Sequence, residues 1–491
     1  MNKRVKAFFS MGTASIFQIL LNVLRNKLTA VLLGTYGIGV LSIISSILGV
    51  VQPISDLSIN NGIVKKVSAD ITDKQEIDNV IATAYITTFV TSTLLVILMI
   101  IFSKQISLAN FNDRKYYVYI IIVALSIPIS TFNSIDLSII NGFRKIKIIA
   151  RISIITCVIN MVVSVFFIYS YNLNGAVYST IAMAIISYMI NLFALKRVLR
   201  SYDYKFKLSI KNFRIDILKT LTALGMTSIC AILFSNISLL LIKNTISKKL
   251  GMDYNGIFQA DWSIINQYVG IVFSRCAVYY FPTLCALKTN KERADEMNKT
   301  LEMLLVACVP LFIGIMCFKN IVISVLYSGK FIMSANFLSI FIIGDYFKII
   351  AWTLGFAFLP INKIKQFIII DLCSNAFFTV LSIVLINVFG NLYGVAYAYI
   401  VLNVVITCVY YFYLKANMNF TFEYNTKKNI IVSFVTLATC YILIILFHSK
   451  LIYSIILSLV VLFIWFKITI DKDKIDKIKG YLSKKILKKT N

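Results

Sequence analysis

The sequence places an arginine and several polar side chains inside a long apolar segment near its start. Gln18, Asn22, Arg25 and Thr29 recur at intervals of three or four residues, so they share one face of a helix. A charge at the centre of a membrane-spanning helix costs about 3 kcal/mol or more, and it usually faces a wet cavity or a partner. We therefore interpret this face as part of a binding site. The alternative is that Arg25 and Lys27 extend to the outer lipid headgroups.

Two further apolar segments carry polar stripes of the same kind. The stripe of the second segment ends at Asp56 and Asn60, and the eighth segment has Asp261, Tyr268 and Arg275 on one face. Helices bearing such stripes in a membrane protein predict a polar cleft, because lipid would leave these groups unsatisfied.

Basic and amide groups in such a cleft predict an anionic substrate. A guanidinium group binds phosphate oxygens through two hydrogen bonds, and a lysine supplies a point charge. The predicted substrate-binding residues are Arg25, Lys243, Arg275, Lys65, Lys66, Asn22, Asn60 and Tyr268, and the predicted ion-coupling residues are Asp56 and Asp261. Two alternatives stay open: Lys243 extends to the headgroups, and Arg275 forms a structural pair with an aspartate.

The composition is that of an integral membrane protein. Of the 491 residues, 59% are hydrophobic, and the mean hydropathy is +0.84. Apolar runs near the roughly 20 residues that a bilayer requires recur about fourteen times. The net charge of +28 comes from basic residues in alternate short loops. This is the positive-inside pattern, which argues against nucleic-acid binding and predicts that both termini are cytoplasmic.

Matching motifs indicate an internal duplication. Asn172-Leu-Asn-Gly175-Ala-Val-Tyr178 resembles Asn391-Leu-Tyr-Gly394-Val-Ala-Tyr397, and Leu24-Arg25-Asn26 resembles Ile242-Lys243-Asn244 at nearly the same offset. We predict an all-α integral membrane fold with about 14 transmembrane helices, comprising two parallel six-helix repeats around a central cleft and two C-terminal helices. The predicted divisions are an N-terminal half at 1–200, a C-terminal half at 201–415, two additional helices at 416–470 and a basic cytoplasmic tail at 471–491.

The motifs that would indicate an enzyme are missing from the sequence. It has no phosphate-binding loop, its single histidine excludes an HExxH zinc site, and none of its nine cysteines forms a CxxC pair. We expect no cofactor and no metal. A membrane polysaccharide polymerase, the alternative from another class, would need a large outer loop, which the predicted topology lacks.

One stretch resembles a known family. Leu28-Thr-Ala-Val-Leu-Leu-Gly34, followed by Tyr36-Gly-Ile and by Ile59-Asn-Asn-Gly-Ile-Val-Lys-Lys-Val-Ser-Ala69, resembles the Wzx-type O-antigen flippases. Their superfamily also holds the multidrug and toxin exporters and the lipid II flippase. The resemblance implies a cationic central cavity lined by the first, second, seventh and eighth helices. It places Lys65 and Lys66 at the cytoplasmic mouth.

The resemblance implies a flippase of polysaccharide and lipopolysaccharide biosynthesis in the bacterial inner membrane, not an enzyme. Its substrate would be an undecaprenyl-diphosphate-linked oligosaccharide, moved from the cytoplasmic to the outer leaflet by alternating access. Polysaccharide polymerase machinery is an additional expected partner. The alternatives within the superfamily are an ion-coupled multidrug exporter, which should have acidic groups in its cavity for cationic drugs, and a lipid II flippase.

Overall fold

The computed structural model is built from α-helices, and it describes residues 3–71, 73–204, 209–446 and 451–469. No β-strand occurs among these residues. The predicted basic tail, 471–491, lies outside them. The helices are α1 (Lys3–Ser55), α2 (Asn60–Ala69), α3 (Lys74–Ile101), α4 (Ser103–Phe111), α5 (Tyr117–Gly142), α6 (Ile146–Arg200), α7 (Ile215–Lys249), α8 (Met252–Ala286), α9 (Asn290–Cys317), α10 (Lys319–Leu326), α11 (Ser334–Gly355), α12 (Ile364–Phe389), α13 (Tyr393–Met418), α14 (Tyr424–Leu446) and α15 (Leu451–Thr469).

Eleven helices in the described part of the chain are long and apolar enough to cross a membrane. Two of them, α1 and α6, have 53 and 55 residues, more than twice the roughly 20 residues that one crossing needs. Each contains one residue with non-helical dihedral angles, Gly34 in α1 and Asn172 in α6. Two crossings for each of these helices, together with the apolar α15, agree with the predicted number of about fourteen. The chain is a multi-pass, all-α membrane protein, as predicted.

Left-handed backbone positions recur along the chain at a nearly constant spacing. Four pairs of residues with positive φ have members that lie 217, 218, 218 and 216 positions apart. In that order, the pairs are Gly34 and Gly251, Arg144 and Asn362, Asn172 and Gly390, and Asp203 and Asn419. Few residues other than glycine and asparagine adopt this conformation without strain. The left-handed positions, where the chain can reverse its direction, therefore recur at a nearly constant spacing, as the predicted duplication requires.

The chain forms two compact units. The first contains residues 1–259, 325–331 and 386–391, and the second contains 260–324, 332–385 and 392–491. In the first unit, a core of buried aliphatic and aromatic side chains joins α2, α3, α5, α6 and α7. A second core joins the arm of α1 after Gly34 to α5. The domain boundaries predicted at 200 and 415 stay predictions.

Candidate functional site

A polar cavity of about 350 Å³ lies inside the first unit, between α1, α5 and α6. Its walls carry amide and hydroxyl groups and one guanidinium group. The lining residues are Gln18, Asn22, Arg25, Asn133, Leu137, Ile152, Ser153, Thr156, Cys157, Asn160 and Asn191. Polar groups of this density in apolar helices require water or a ligand to satisfy them.

The stripe predicted on the first apolar segment forms one wall of this cavity. Gln18, Asn22 and Arg25 all line it, since residues three and four apart share a face of α1. The Cys157 thiol of α6 lies 3.7 Å from Asn22 Oδ1. The structure therefore brings together two of the predicted substrate-binding residues, Asn22 and Arg25.

The bend of α6 at Asn172 brings the two arms of this helix into contact. Asn160 lies before the bend and Ser187 after it, and the Asn160 Nδ2 group donates to Ser187 Oγ at 3.2 Å. Asn191, also after the bend, donates from Nδ2 to Asn133 Oδ1 of α5. These hydrogen bonds fix the amide groups relative to one another.

The cavity has a positive charge without a counter-charge in its lining. Arg25 is half-buried, and none of the lining residues is acidic. Among the described residues, the Arg25 guanidinium makes no hydrogen bond and no ion pair. Its five N–H donors are therefore available to a ligand.

Two buried oxygen atoms of the lining have no hydrogen-bond partner in the described structure. They are Asn191 Oδ1 and Thr156 Oγ1. The Asn191 side chain is only 4% exposed. An unsatisfied buried polar atom costs about 1–3 kcal/mol, so each of these oxygens is an available position for a ligand or an ordered water.

Lys243 lies elsewhere in the same unit. It is 2% exposed, and its ammonium group donates to Ser42 O at 3.1 Å and to Ser46 Oγ at 2.9 Å. Asn255, at the start of α8, donates to Gly39 O and to Ser42 Oγ, both at 3.1 Å. These bonds attach α7 and the first turns of α8 to the arm of α1 after Gly34.

Asp56 and Asn60 surround the break between α1 and α2. Asp56 accepts from Ser58 N at 2.9 Å and from Asn60 Nδ2 at 3.0 Å, and Leu57 and Ser58 both have positive φ. Ser138 of α5 donates to Asn60 Oδ1 at 3.1 Å. In this structure both side chains stabilise a strained turn.

The remaining predicted residues are dispersed. On α2, Lys65 is exposed, whereas Lys66 pairs with Glu76 at 3.1 Å. On α8, Arg275 is exposed. Tyr268 lies outside the residues whose side chains are described.

Asp261 is fully buried in the second unit. One carboxylate oxygen accepts from Ser334, and the other, Oδ2, has no partner among the described residues.

The asparagines on α5 and α6 were not among the predicted site residues. Asn133, Asn160 and Asn191 each stand in an otherwise apolar run, which was the available signal. Buried amides also occur at helix contacts without a ligand. These three asparagines differ from such amides because they line one cavity between α1, α5 and α6, which the sequence does not show.

Comparison with known proteins assigns the fold and the family. A family model described as polysaccharide biosynthesis protein matches residues 28–336. The chain is 23% identical over 399 residues to the lipid III flippase of Escherichia coli strain K12, covering 80% of this chain and 94% of that protein.

Two solved structures share the fold. One is an inward-facing multidrug resistance MATE family transporter of the MOP superfamily, with a TM-score of 0.69, 15% identity and coverage of 82% of this chain and 94% of that one. The other is the lipid II flippase MurJ in an inward closed conformation, with a TM-score of 0.66, 16% identity and coverage of 93% and 98%.

Proposed function

Because this chain belongs to the family of polysaccharide biosynthesis proteins, we propose that it is a lipid-linked oligosaccharide flippase. Its substrate is an undecaprenyl-diphosphate-linked oligosaccharide, an O-antigen unit or a similar repeat. It moves this substrate from the cytoplasmic to the outer leaflet by alternating access. The relative from Escherichia coli, which is named as a lipid III flippase, supports this proposal.

The cavity around Arg25 is the observation that carries the proposal. It combines amides and hydroxyls with a guanidinium that has no partner among the described residues, and its lining contains no carboxylate. A guanidinium binds phosphate oxygens, and amides bind sugar hydroxyls. The diphosphate and the sugar attached to it therefore enter the cavity, while the polyprenyl tail stays in lipid.

The membrane potential favours transport in this direction. An inside-negative potential drives negative charge outward, and each charge that crosses yields about 2.3 kcal/mol per 100 mV. Asp56 and Asp261 are proposed to bind a coupling ion that adds to this drive. Asp261 Oδ2, which has no partner in the described part of the chain, is an atom that such an ion would satisfy.

The other basic residues act at other stages of the transport cycle. Lys65 and Lys66 attract the diphosphate at the cytoplasmic mouth. Arg275 contacts it along the path, together with Asn60 and Tyr268. Lys243 becomes a contact only in a state in which its bonds to α1 have opened.

The protein works in the bacterial cytoplasmic membrane with both termini in the cytoplasm. Polysaccharide polymerase machinery would act on the translocated product in the outer leaflet. It is therefore a proposed partner.

The alternative is an ion-coupled multidrug exporter, whose fold the chain shares. An exporter of cationic drugs requires acidic groups in its binding cavity, and the lining described above has none. The lipid II flippase, a second alternative with the same fold, differs in the sugar that it carries.

The proposal is tested in cells that lack their own copy of this protein. Arg25→Ala should abolish surface glycan, measured by lectin binding, while the membrane content of the protein is unchanged. Arg151→Ala is the matched control, because Arg151 is exposed on α6 and does not line the cavity. Full surface glycan with Arg25→Ala would refute the proposed role of the cavity.

A further inference from the structure

The side-chain amide of Asn191 is oriented by one hydrogen bond and leaves one atom open. Its Nδ2 group donates to Asn133 Oδ1, and its Oδ1 atom is buried without a partner in the described structure. This carbonyl oxygen can therefore accept a hydrogen bond from a ligand. Thr156 Oγ1, on another wall of the same cavity, is also unpartnered.

A bare diphosphate satisfies only part of this cavity. Its ionised oxygens accept hydrogen bonds, so they match the donors of Arg25. They cannot satisfy Asn191 Oδ1, since a carbonyl oxygen also only accepts. A ligand that pairs with both groups must combine an anion with a donor, and a sugar hydroxyl next to a phosphate provides that combination.

We propose that Asn191, with Thr156, forms a sugar-hydroxyl subsite next to the diphosphate site at Arg25. The sugar attached directly to the diphosphate donates a hydroxyl hydrogen to Asn191 Oδ1. Thr156 bonds a neighbouring hydroxyl, because its own hydroxyl both donates and accepts. This inference rests on the proposed function, and it identifies the part of the substrate that the cavity recognises.

The size of the cavity suits one sugar rather than a whole oligosaccharide. Its volume of about 350 Å³ is near the lower end of the roughly 300–1,000 Å³ of small-molecule sites. Because Asn160 is hydrogen-bonded to Ser187 and Asn191 to Asn133, these amides are already positioned before a ligand arrives. Later sugars of the repeat unit extend out of this subsite.

Binding measurements on the full-length protein in detergent test the inference. The two probes are a short-chain prenyl diphosphate and the same molecule with one sugar attached. We expect the unmodified protein to bind the sugar-bearing probe about ten-fold more tightly, which is the effect of about 1.4 kcal/mol. In Asn191→Leu this preference should fall to about one, while the affinity for the bare diphosphate is retained.

Three further variants make the result specific. Thr156→Val, which is nearly isosteric, should reduce the preference even if Asn191→Leu fails to fold. Asn403→Leu is the matched control, because Asn403 is also 4% exposed, and its amide donates to Tyr399 O within α13. It should keep the full preference. Arg25→Ala should weaken both probes equally.

Each other outcome counts against a specific claim. If Asn191→Leu and Thr156→Val both keep the ten-fold preference, the subsite is overturned and the flippase proposal stands. Equal affinity of the unmodified protein for the two probes would mean that only water occupies the subsite, and it would also overturn the inference. If neither probe binds the unmodified protein, the proposed function itself fails.

Discussion

At the residue scale, Arg25 is the central residue, because it is half-buried and lines a cavity whose lining contains no carboxylate. Arg25 was identified because a charge inside an apolar helix requires a reason, and its helical neighbours Gln18 and Asn22 followed from their spacing. Asn133 and Asn191 were not identified, because a single buried amide is ordinary and no periodicity shows that α5 and α6 meet.

The burial of Lys243 could not be predicted from its match to Arg25 in the repeat. Its position in the repeat corresponds to Arg25, yet its ammonium is enclosed by Ser42 and Ser46. Charge and register alone could not predict this burial, because it depends on how closely α7 packs on α1.

A double-mutant cycle tests the contribution of that contact to stability. Lys243→Ala should lower the free energy of unfolding by about 2 kcal/mol, since it removes two hydrogen bonds and leaves a void. Ser46→Ala should cost less, because Ser42 O still accepts from the lysine. The double variant should be less destabilised than the sum of the two single variants, as measured by thermal unfolding in detergent. Strict additivity would show that the two side chains do not interact.

At the scale of elements, the reversals of the chain were partly predictable. Gly34 and Asn172 belong to motifs that the sequence analysis singles out, and the structure has non-helical dihedral angles at both, inside two long helices. The break at Leu57 and Ser58 was not predicted, although both residues adopt positive φ. It depends on the hydrogen bonds that Asp56 accepts, which the sequence pattern does not show.

The close contact of α1 with the start of α8 predicts a conformational constraint. Thr35 donates to Asp253, and a Cβ atom on Gly256 would lie only 1.9 Å from Thr35 O. Thr35 and Asp253 belong to different predicted halves, 1–200 and 201–415, so we expect alternating access to open this contact during each cycle. Cysteines at Thr35 and Asp253, once oxidised to a disulfide, should stop transport, and a reductant should restore it.

The single cysteine variants are the controls for this prediction. Each should be unaffected by the oxidant, as judged by the same transport assay. Undiminished transport by the cross-linked double variant would show that this contact stays closed throughout the cycle.

At the scale of the whole molecule, composition and hydropathy were sufficient for the class of fold. The apolar runs predicted an all-α membrane protein with about fourteen crossings, and the helices of the structure agree. The repeated motifs were the only signal in the sequence for a division into halves. The pattern of neighbouring residues does not show how helices pack within the two compact units.

The predicted orientation has a direct test. Basic residues concentrate in alternate loops, so both termini should lie in the cytoplasm. A fluorescent protein fused to the C-terminus should fluoresce, whereas alkaline phosphatase, which needs the oxidising side of the membrane, should be inactive there. An active phosphatase fusion would reverse the assigned orientation.

Transbilayer movement in vesicles tests both the flippase proposal and the role of Arg25. The purified protein is reconstituted with an undecaprenyl-diphosphate-linked oligosaccharide, and an impermeant lectin reports the sugar on the outer surface over time. We expect movement that depends on the protein, is retained by Arg151→Ala and is lost in Arg25→Ala. Undiminished movement in Arg25→Ala, or vesicles that transport a cationic dye and leave the lipid in place, would contradict the account.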